Sequence, residues 1–319
     1  MSSEPGMPTL DQLKVFLTVV EVGSFAAAAR RLNRATSVIS YTIANLESQL
    51  GVSLFDREST RKPQLTEAGA TVLAEARTVS NGIDELRAKV QGLLQGLEAE
   101  VHLVLDVMLP TERVAEALTA FRAQFPTVAL RLHIEALGGV MQLVLDRVAT
   151  FGVSGPLPGI ASLPGIEHVG VGDVELIPVA SPEHPLAVAK KNRPGAPRGH
   201  IQLVLSDRSQ LTKSTDFAVV SSRTWRLADL GSKHLLLKAG IGWGNMPRPM
   251  VQEDLDSGRL VKLDLPDARG GAYPFEAVYR TDTPPGPAAS WLIDCFRAQG
   301  MRQAPAGKPA KSRDRKKPR

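Results

Sequence analysis

The chain has 319 residues, 43% hydrophobic and 22% charged, an ordinary globular composition with room for two or three cores. Its net charge of +5 is unevenly placed: residues 302–319 hold eight Lys/Arg against one Asp, leaving −2 over residues 1–301, which excludes a uniformly basic body. The sequence lacks a run of about 18 apolar residues and an N-terminal leader pattern, and its single cysteine, Cys295, forbids an internal disulfide; these features exclude a spanning helix and fit a reducing cytoplasm.

Leu13, Phe16, Leu17 and Val20 fall at i, i+3, i+4 and i+7 and predict a helix over residues 10–22, stopped by Gly23. Ser24 is the expected N-cap of a short Ala-rich helix ending near Asn33. A third helix is expected from Thr36 to Leu50, with Gly51 as its stop. Its residues Ile39, Ile43, Leu46 and Leu50 face a core. The opposite face carries Ser37, Tyr41, Ala44, Asn45 and Ser48, with Thr36 and Ser40 at its N-terminal edge. The stretch LFDRESTRKPQL reads as a β-hairpin with Arg57, Arg61 and Lys62 near its tip.

From Thr66 to Leu97, Val72, Ala76, Val79, Ile83, Leu86, Val90, Leu93 and Leu97 keep an unbroken alternation of four and three. That is a heptad seam on a helix roughly 45 Å long. Such a stripe predicts pairing with a second copy of the helix. The alternation of Ile83 and Val90 with Leu86 and Leu93 favours, by packing rules alone, a parallel pair.

Beyond Leu97, VHLVLDVML, VALRLHIEA, FGVSG, VELIPVAS, HIQLVLS, IGWGNMP, LVKLDL and FEAVYRT read as strands. ERVAEALTAFRAQF, GVMQLVLDRV, RLADLGSKHLLLKAG and SWLIDCFRAQ read as helices between and after them. This alternation predicts an α/β architecture with a mainly parallel sheet. The chain ends in AGKPAKSRDRKKPR, too polar to bury a core; it is expected to be disordered, with nonspecific contact to DNA phosphates as the alternative.

A catalytic reading finds little support. The six histidines show no metal-ligand spacing, Cys295 reads as a small core residue in an amphipathic helix, and GVSG lacks the flanks of a nucleophile elbow. GIGWG is no phosphate loop; it reads as a tight turn where backbone approaches a neighbour closely. No enzyme activity, metal or cofactor is expected. A helix–turn–helix reading is stronger, because a small-residue helix, a short turn and a helix with a polar outer face coincide. The uncharged Ser, Thr, Asn and Tyr side chains of that face can address base edges and phosphates.

The motifs LDQLKVFLTVVEVGSFAAAARRLN, SYTIANLESQLG, LFDRES and LTEAG occur in this order, and AFRAQFPTVAL, VASPEHPLA and AGIGWGNMPRPMVQEDLDSGRLVKL follow. Over residues 8–300 the chain thereby resembles the LysR-type transcriptional regulators. The resemblance implies a winged helix–turn–helix DNA-binding domain over residues 8–65 and a dimerising linker helix over 66–98. A two-lobed effector domain like periplasmic binding proteins follows over 99–301, with lobe I at 99–171 and 270–301 and lobe II at 172–269. The tail, 302–319, lies outside the pattern.

The implied partners are double-stranded DNA at a promoter palindrome, a small-molecule inducer between the lobes, RNA polymerase, and further copies of the chain in a homodimer or homotetramer with antiparallel linker helices. No membrane partner is implied. Competing readings are a small-molecule binding protein without a specific DNA role and a nonspecific architectural DNA-binding protein. DNA contact is expected from Ser24, Arg34, Thr36, Ser37, Ser40, Tyr41, Asn45, Arg57, Arg61 and Lys62. Inducer contact is expected from Asp106, Met108 and Thr111 on one side of a cleft and Ser154, Trp225 and Asn245 on the other. For Asp106, capping of the following turn is an equal alternative. The chain departs from the family pattern at Thr36, often Gln; at Tyr41, often Arg; and at Thr150, often Asp.

Overall fold

The computed structural model describes residues 6–56, 63–94, 96–157, 163–207, 209–212 and 217–303. The chain divides between Gln91 and Gly92 into two compact units.

The first unit holds α1 (Leu10–Val22), α2 (Phe25–Arg31), α3 (Thr36–Leu50) and most of α4 (Glu67–Leu94). Its helix ends are written locally. The Thr9 hydroxyl accepts from Gln12 N at 3.2 Å while Thr9 N donates to Gln12 Oε1 at 2.7 Å, a reciprocal cap. Ser24 Oγ accepts from Ala27 N at 3.0 Å to start α2, and left-handed Gly23 and Gly51 end α1 and α3. Val15, Phe16, Val19, Ala28, Ile39 and Leu46 are fully buried; the large apolar ones contribute about 1.5–3 kcal/mol each. Phe55 meets the rings of Phe16 and Phe25 edge-on at 5.6 and 5.5 Å. An antiparallel bridge between Phe55 and Leu65 closes the base of the expected hairpin. Its tip, with Arg57, Arg61 and Lys62, lies outside the described residues.

The seam of α4 splits. Ala76 is buried and Val72 partly so, both packed on the core of the first unit. Further along, Val79 (43% exposed), Leu86 (56%), Val90 (47%) and Leu93 (53%) face solvent in the single chain, whereas Ile83 is half-buried. The expectation that the seam runs on to Leu97 is corrected: α4 ends at Leu94, where Gly96 turns left-handed and Leu97 N donates back to Gly92 O at 3.0 Å, so Leu97 lies beyond the helix. Gly92 is buried beneath Leu97, whose Cδ1 would stand 3.5 Å from a Cβ there, an ordinary packing distance.

The second unit runs β1 (Glu100–Asp106), α5 (Thr111–Gln124), β2 (Ala129–Glu135), α6 (Gly138–Leu145), β3 (Phe151–Ser154), β4 (Ile166–Ala180), α7 (Pro185–Val188), β5 (Gln202–Leu205), β6 (Thr224–Leu227), α8 (Leu230–Lys238), β7 (Gly244–Pro247), α9 (Arg248–Asp256), β8 (Val261–Lys262), β9 (Gly271–Arg280) and α10 (Pro287–Gln303). Among the described residues one sheet has the order β2-β1-β3-β9-β4-β7, with β8 on β4, and β5 and β6 form a separate parallel pair.

The expectation of a mainly parallel sheet is corrected: β1 pairs in parallel with β2 and β3, but β9 is antiparallel to β3 and β4, and β4 is antiparallel to β7 and β8. The cause is the length of β4 and β9, which continue through both halves of the unit and run in opposite senses. Two helical expectations also shift. Arg226 and Leu227 belong to β6, so α8 starts only after its N-cap Asp229. The stretch after Pro247, expected only as a family signpost, is the helix α9.

Where β4 passes between the halves its register with β9 shifts between Gly170 and Asp173. Gly172 there has φ +98°, and a Cβ would lie 2.5 Å from Gly300 Cα in α10, so both conformation and space require glycine. The buried Arg113 guanidinium donates to Val171 O at 2.7 Å and stands 6.0 Å over the Phe275 ring. Cys295 is half-buried in α10, and burial holds its thiol above the ordinary value. Thr150 N donates to His102 O at 2.8 Å, tying the start of β3 to β1 at a place where an Asp is common in the pattern.

Candidate nucleic-acid interface and ligand cleft

On the first unit, α3 packs Ile39, Ile43 and Leu46 inward, which turns Thr36, Ser37, Ser40, Tyr41, Ala44 and Ser48 to solvent. Tyr41 is 68% exposed. Asn45 is half-buried at the edge of this face. Among the described residues the hydroxyls of Ser37, Ser40 and Tyr41 have no protein partner, whereas Thr42 Oγ1 is spent on Val38 O at 2.8 Å. No side chain caps α3 at Ala35, so among the described residues the N–H groups of Thr36 and Ser37 stay free for an anionic oxygen, while Val38 N already donates to Ala35 O at 3.0 Å. Glu47 braces the far end: its Oε1 accepts from Leu54 N at 2.6 Å and Phe55 N at 3.3 Å, fixing where the hairpin leaves the helix.

The nearby arginines differ from their appearance in sequence. Arg34 makes a two-pronged pair with Asp11, both N···O distances 2.8 Å, and Arg31 pairs with Glu21 at 3.1 Å. The guanidinium of Arg34 holds the Asp11 carboxyl below its ordinary value. Arg30 is exposed and has no ion-pair partner among the described residues. Ser24, expected at the DNA, has its Oγ engaged as a helix cap.

In the second unit, β1, β4, β5, β7, α8 and β9 converge on a cavity of about 80 Å³. Its lining is mainly apolar, including Met108, Leu137, Leu176, Leu203 and Phe217, with Asp106, Lys233, Asn245, Gln202 and Tyr273 as polar members. Asp106, at the end of β1, is buried and heavily engaged. Its Oδ1 accepts from Met108 N at 2.8 Å; its Oδ2 accepts from Tyr273 Oη at 3.0 Å and Gly155 N at 3.2 Å. Burial pushes its carboxyl up to about 6 against those three hydrogen bonds. Turn capping and a place at the cavity are therefore both realised in this one side chain.

Lys233 enters from α8. It is 3% exposed, its Nζ donates to Asn245 O at 2.7 Å, and burial pulls its ammonium down to about 7. The GIGWG turn makes room for it, as a close-approach turn should. A Cβ on Gly242 would lie 2.3 Å from Ile201 O, and one on Gly244 2.8 Å from Leu203 O and 3.0 Å from Lys233 Cε.

The six residues expected around an inducer are thus only partly brought together. Asp106, Met108 and Asn245 line the cavity. Thr111 instead borders a neighbouring, more open crevice of about 480 Å³ with Ile134, His234 and Met250. Ser154 is buried and its hydroxyl donates to Gly155 O at 3.0 Å. Trp225 sits on β6, 48% exposed, paired in register with Leu203 and outside the cavity lining. Lys233 and Tyr273 were missed. A lysine in a helix reads by default as a solvated charge, and no local pattern marks either residue.

Residues 10–70 match the family described as bacterial regulatory helix-turn-helix protein, lysR family, and residues 94–300 match the LysR substrate binding domain. The HTH-type transcriptional regulator AceR of Acinetobacter baumannii is 27% identical over 297 residues, 92% of this chain and 98% of that protein. The HTH-type transcriptional activator AllS of Klebsiella pneumoniae is 30% identical over 259 residues, 79% of this chain and 93% of its own. Among solved structures, a mutant of Corynebacterium glutamicum OxyR superposes with a TM-score of 0.52 at 20% identity, over 94% of this chain and 95% of that one. Full-length LysG of the same organism, with its effector arginine bound, gives 0.50 at 18% identity over 92% and 98%.

Proposed function

The chain belongs to the LysR family of transcriptional regulators, and from that premise we propose that it reads a promoter palindrome through the outer face of α3 and is switched by a small molecule in the cavity of its second unit. The observation that carries the DNA reading is the division of α3. One side is fully packed, and the other presents unpartnered Ser37, Ser40 and Tyr41 with Thr36 at the helix start. Such groups suit direct readout, with specificity supplied by neutral side chains and affinity by cations around them. Arg30 and the hairpin cations Arg57, Arg61 and Lys62 are assigned to phosphates; Arg34 joins them only by leaving Asp11.

The exposed stretch of the α4 seam is assigned to a second copy of the chain, which supplies the two-fold symmetry a palindrome demands. Higher assembly to a tetramer and contact with RNA polymerase belong to the same reading, as does a cytoplasmic site of action on the chromosome. Switching requires that the ligand bind two quaternary states with different affinity.

Footprinting tests the reading. Protection of one interrupted palindrome, altered in extent or spacing by a metabolite that also raises Tm, is the expected result. Sequence-independent coverage would instead support an architectural protein, and metabolite binding without any protected site would support a plain binding protein.

A further inference from the structure

Resting on the ligand-switched reading above, the chemistry of the cavity narrows what the ligand is. Its polar members differ in the hydrogen-bonding capacity they have left. Asp106 has both oxygens occupied by Met108 N, Gly155 N and Tyr273 Oη. Gln202 spends its amide on Ala218 O at 2.8 Å and accepts from Val220 N at 2.9 Å and Ser221 N at 3.0 Å. Lys233 is different. Its ammonium carries three protons, is almost wholly out of solvent, and among the described residues finds one acceptor, Asn245 O. It makes no ion pair with Asp106, although both line the same cavity. Beside it, Asn245 Oδ1 is buried and accepts from no donor.

An unpaired cation in an apolar cavity is costly unless something joins it. A purely structural lysine would be expected to find a carboxylate or a second carbonyl. Among the described residues, the groups the cavity leaves incompletely paired are the Lys233 ammonium and the Asn245 side-chain amide with its unsatisfied Oδ1, in a space of about 80 Å³. A space of this size favours a small ligand.

We propose that the cavity binds a small monocarboxylate bearing a hydroxyl or amino group, with its carboxylate on Lys233 Nζ and its hydroxyl or amino proton donated to Asn245 Oδ1. The apolar walls from Leu176, Leu203 and Phe217 then cover its carbon atoms and exclude water, which strengthens the ion pair. A dicarboxylate would leave a second charge against these walls, and an amine without a carboxylate would set a cation beside Lys233.

The test uses the full-length protein and matched pairs: glycolate, lactate, glycine and alanine, each against its own primary amide, with propanoate as the carboxylate that lacks a donor. Thermal shift and isothermal titration calorimetry at pH 6.5 read binding. At least one of the four acids is expected to raise Tm and to bind tenfold or more tighter than its amide and than propanoate. Lys233→Met should weaken that acid about 30-fold or more, the usual loss when one partner of a buried charge pair is removed. Lys233→Gln, which can still donate to Asn245 O, serves if the Met variant does not fold.

An amide binding as tightly as its acid, an unchanged affinity in Lys233→Gln, or no response to any of the four acids at 10 mM would overturn the assignment. Footprints taken with the same compounds separate this proposal from the regulator reading. An amide that alters the footprint preserves the regulator and removes the carboxylate. An acid that binds through Lys233 yet leaves the footprint unchanged preserves the carboxylate and removes its role as a switch.

Discussion

Tyr273 donates its phenolic proton to Asp106 Oδ2 at 3.0 Å, joining the long strand β9 to the end of β1 beside the cavity. Burial raises the Asp106 carboxyl from 3.8 to about 6. The folded state therefore holds this proton more tightly than the unfolded one. The resulting stabilisation is present below pH 4 and lost as pH rises through 6. It amounts to about 3 kcal/mol. In Asp106→Asn the group cannot titrate, so the unfolding free energy of the wild type minus that of the variant should fall by up to this amount between pH 4 and pH 7 in urea titrations. Tyr273→Phe removes a donor to the carboxylate and should move the midpoint of the fall upward. A difference that is flat with pH would show that Asp106 does not titrate in this range.

Arg34 and Asp11 hold each other across an exposed surface, where an ion pair adds little to stability. Releasing the guanidinium should change DNA binding far more than folding. Asp11→Asn is expected to leave Tm nearly unchanged, raise affinity for any duplex, and steepen the dependence of log K on log salt by about one. Fluorescence anisotropy across a salt series measures this. An unchanged slope would place Arg34 away from the phosphates.

The three short helices of the first unit were legible because their boundaries are chemical and local: Ser24, Gly23 and Gly51 all act within a turn of the helix they start or stop. In the second unit the strands β1 and β2 and the helices α5, α6 and α10 were legible from apolar runs and amphipathic spacing, but elements paired at long range were not. The first half of β4, IEHVGVGD, has neither signal, since its partner β9 lies about a hundred residues away and supplies the pairing that the local sequence does not. Helix α9 was hidden by Pro247 and Pro249, which read as breakers but stand at a helix start, where proline is tolerated. The cavity was hardest. Asp106, Met108 and Asn245 could be placed through family resemblance, but Lys233 becomes notable only once β5, β7 and the GIGWG turn close over it.

The two faces of α3 should separate cleanly on mutation. Ser40 is exposed and unpartnered, so Ser40→Ala should leave the melting curve unchanged. It should cost roughly 1–3 kcal/mol of discrimination at one symmetric pair of operator positions. Ile39, one residue earlier, is fully buried, and Ile39→Ala should cost about 2–5 kcal/mol of stability in the first unit. Anisotropy with operator variants, paired with circular-dichroism melts, reads both effects. If Ser40→Ala binds every operator variant as the wild type does, the reader lies elsewhere on the helix.

The seam of α4 makes the last distinction, between a stripe that completes its own fold and one that needs a partner. Ala76 is buried in the first unit, whereas Leu86 is 56% exposed and flanked along the seam by exposed Val79, Val90 and Leu93. A charge at Leu86 meets water in the single chain but would be buried, without an opposite charge supplied by design, in a helix pair. Leu86→Glu is therefore expected to convert a dimer or tetramer to monomers in sedimentation velocity at micromolar concentration, with the melting of the first unit little changed beyond the loss of partner stabilisation. Ala76→Glu should unfold that unit instead. Palindrome binding should weaken in Leu86→Glu while a half-site is bound as before, because each α3 is intact and only the coupling between two of them is lost. An assembly that survives Leu86→Glu unchanged would assign the exposed seam to something other than a second copy of the chain.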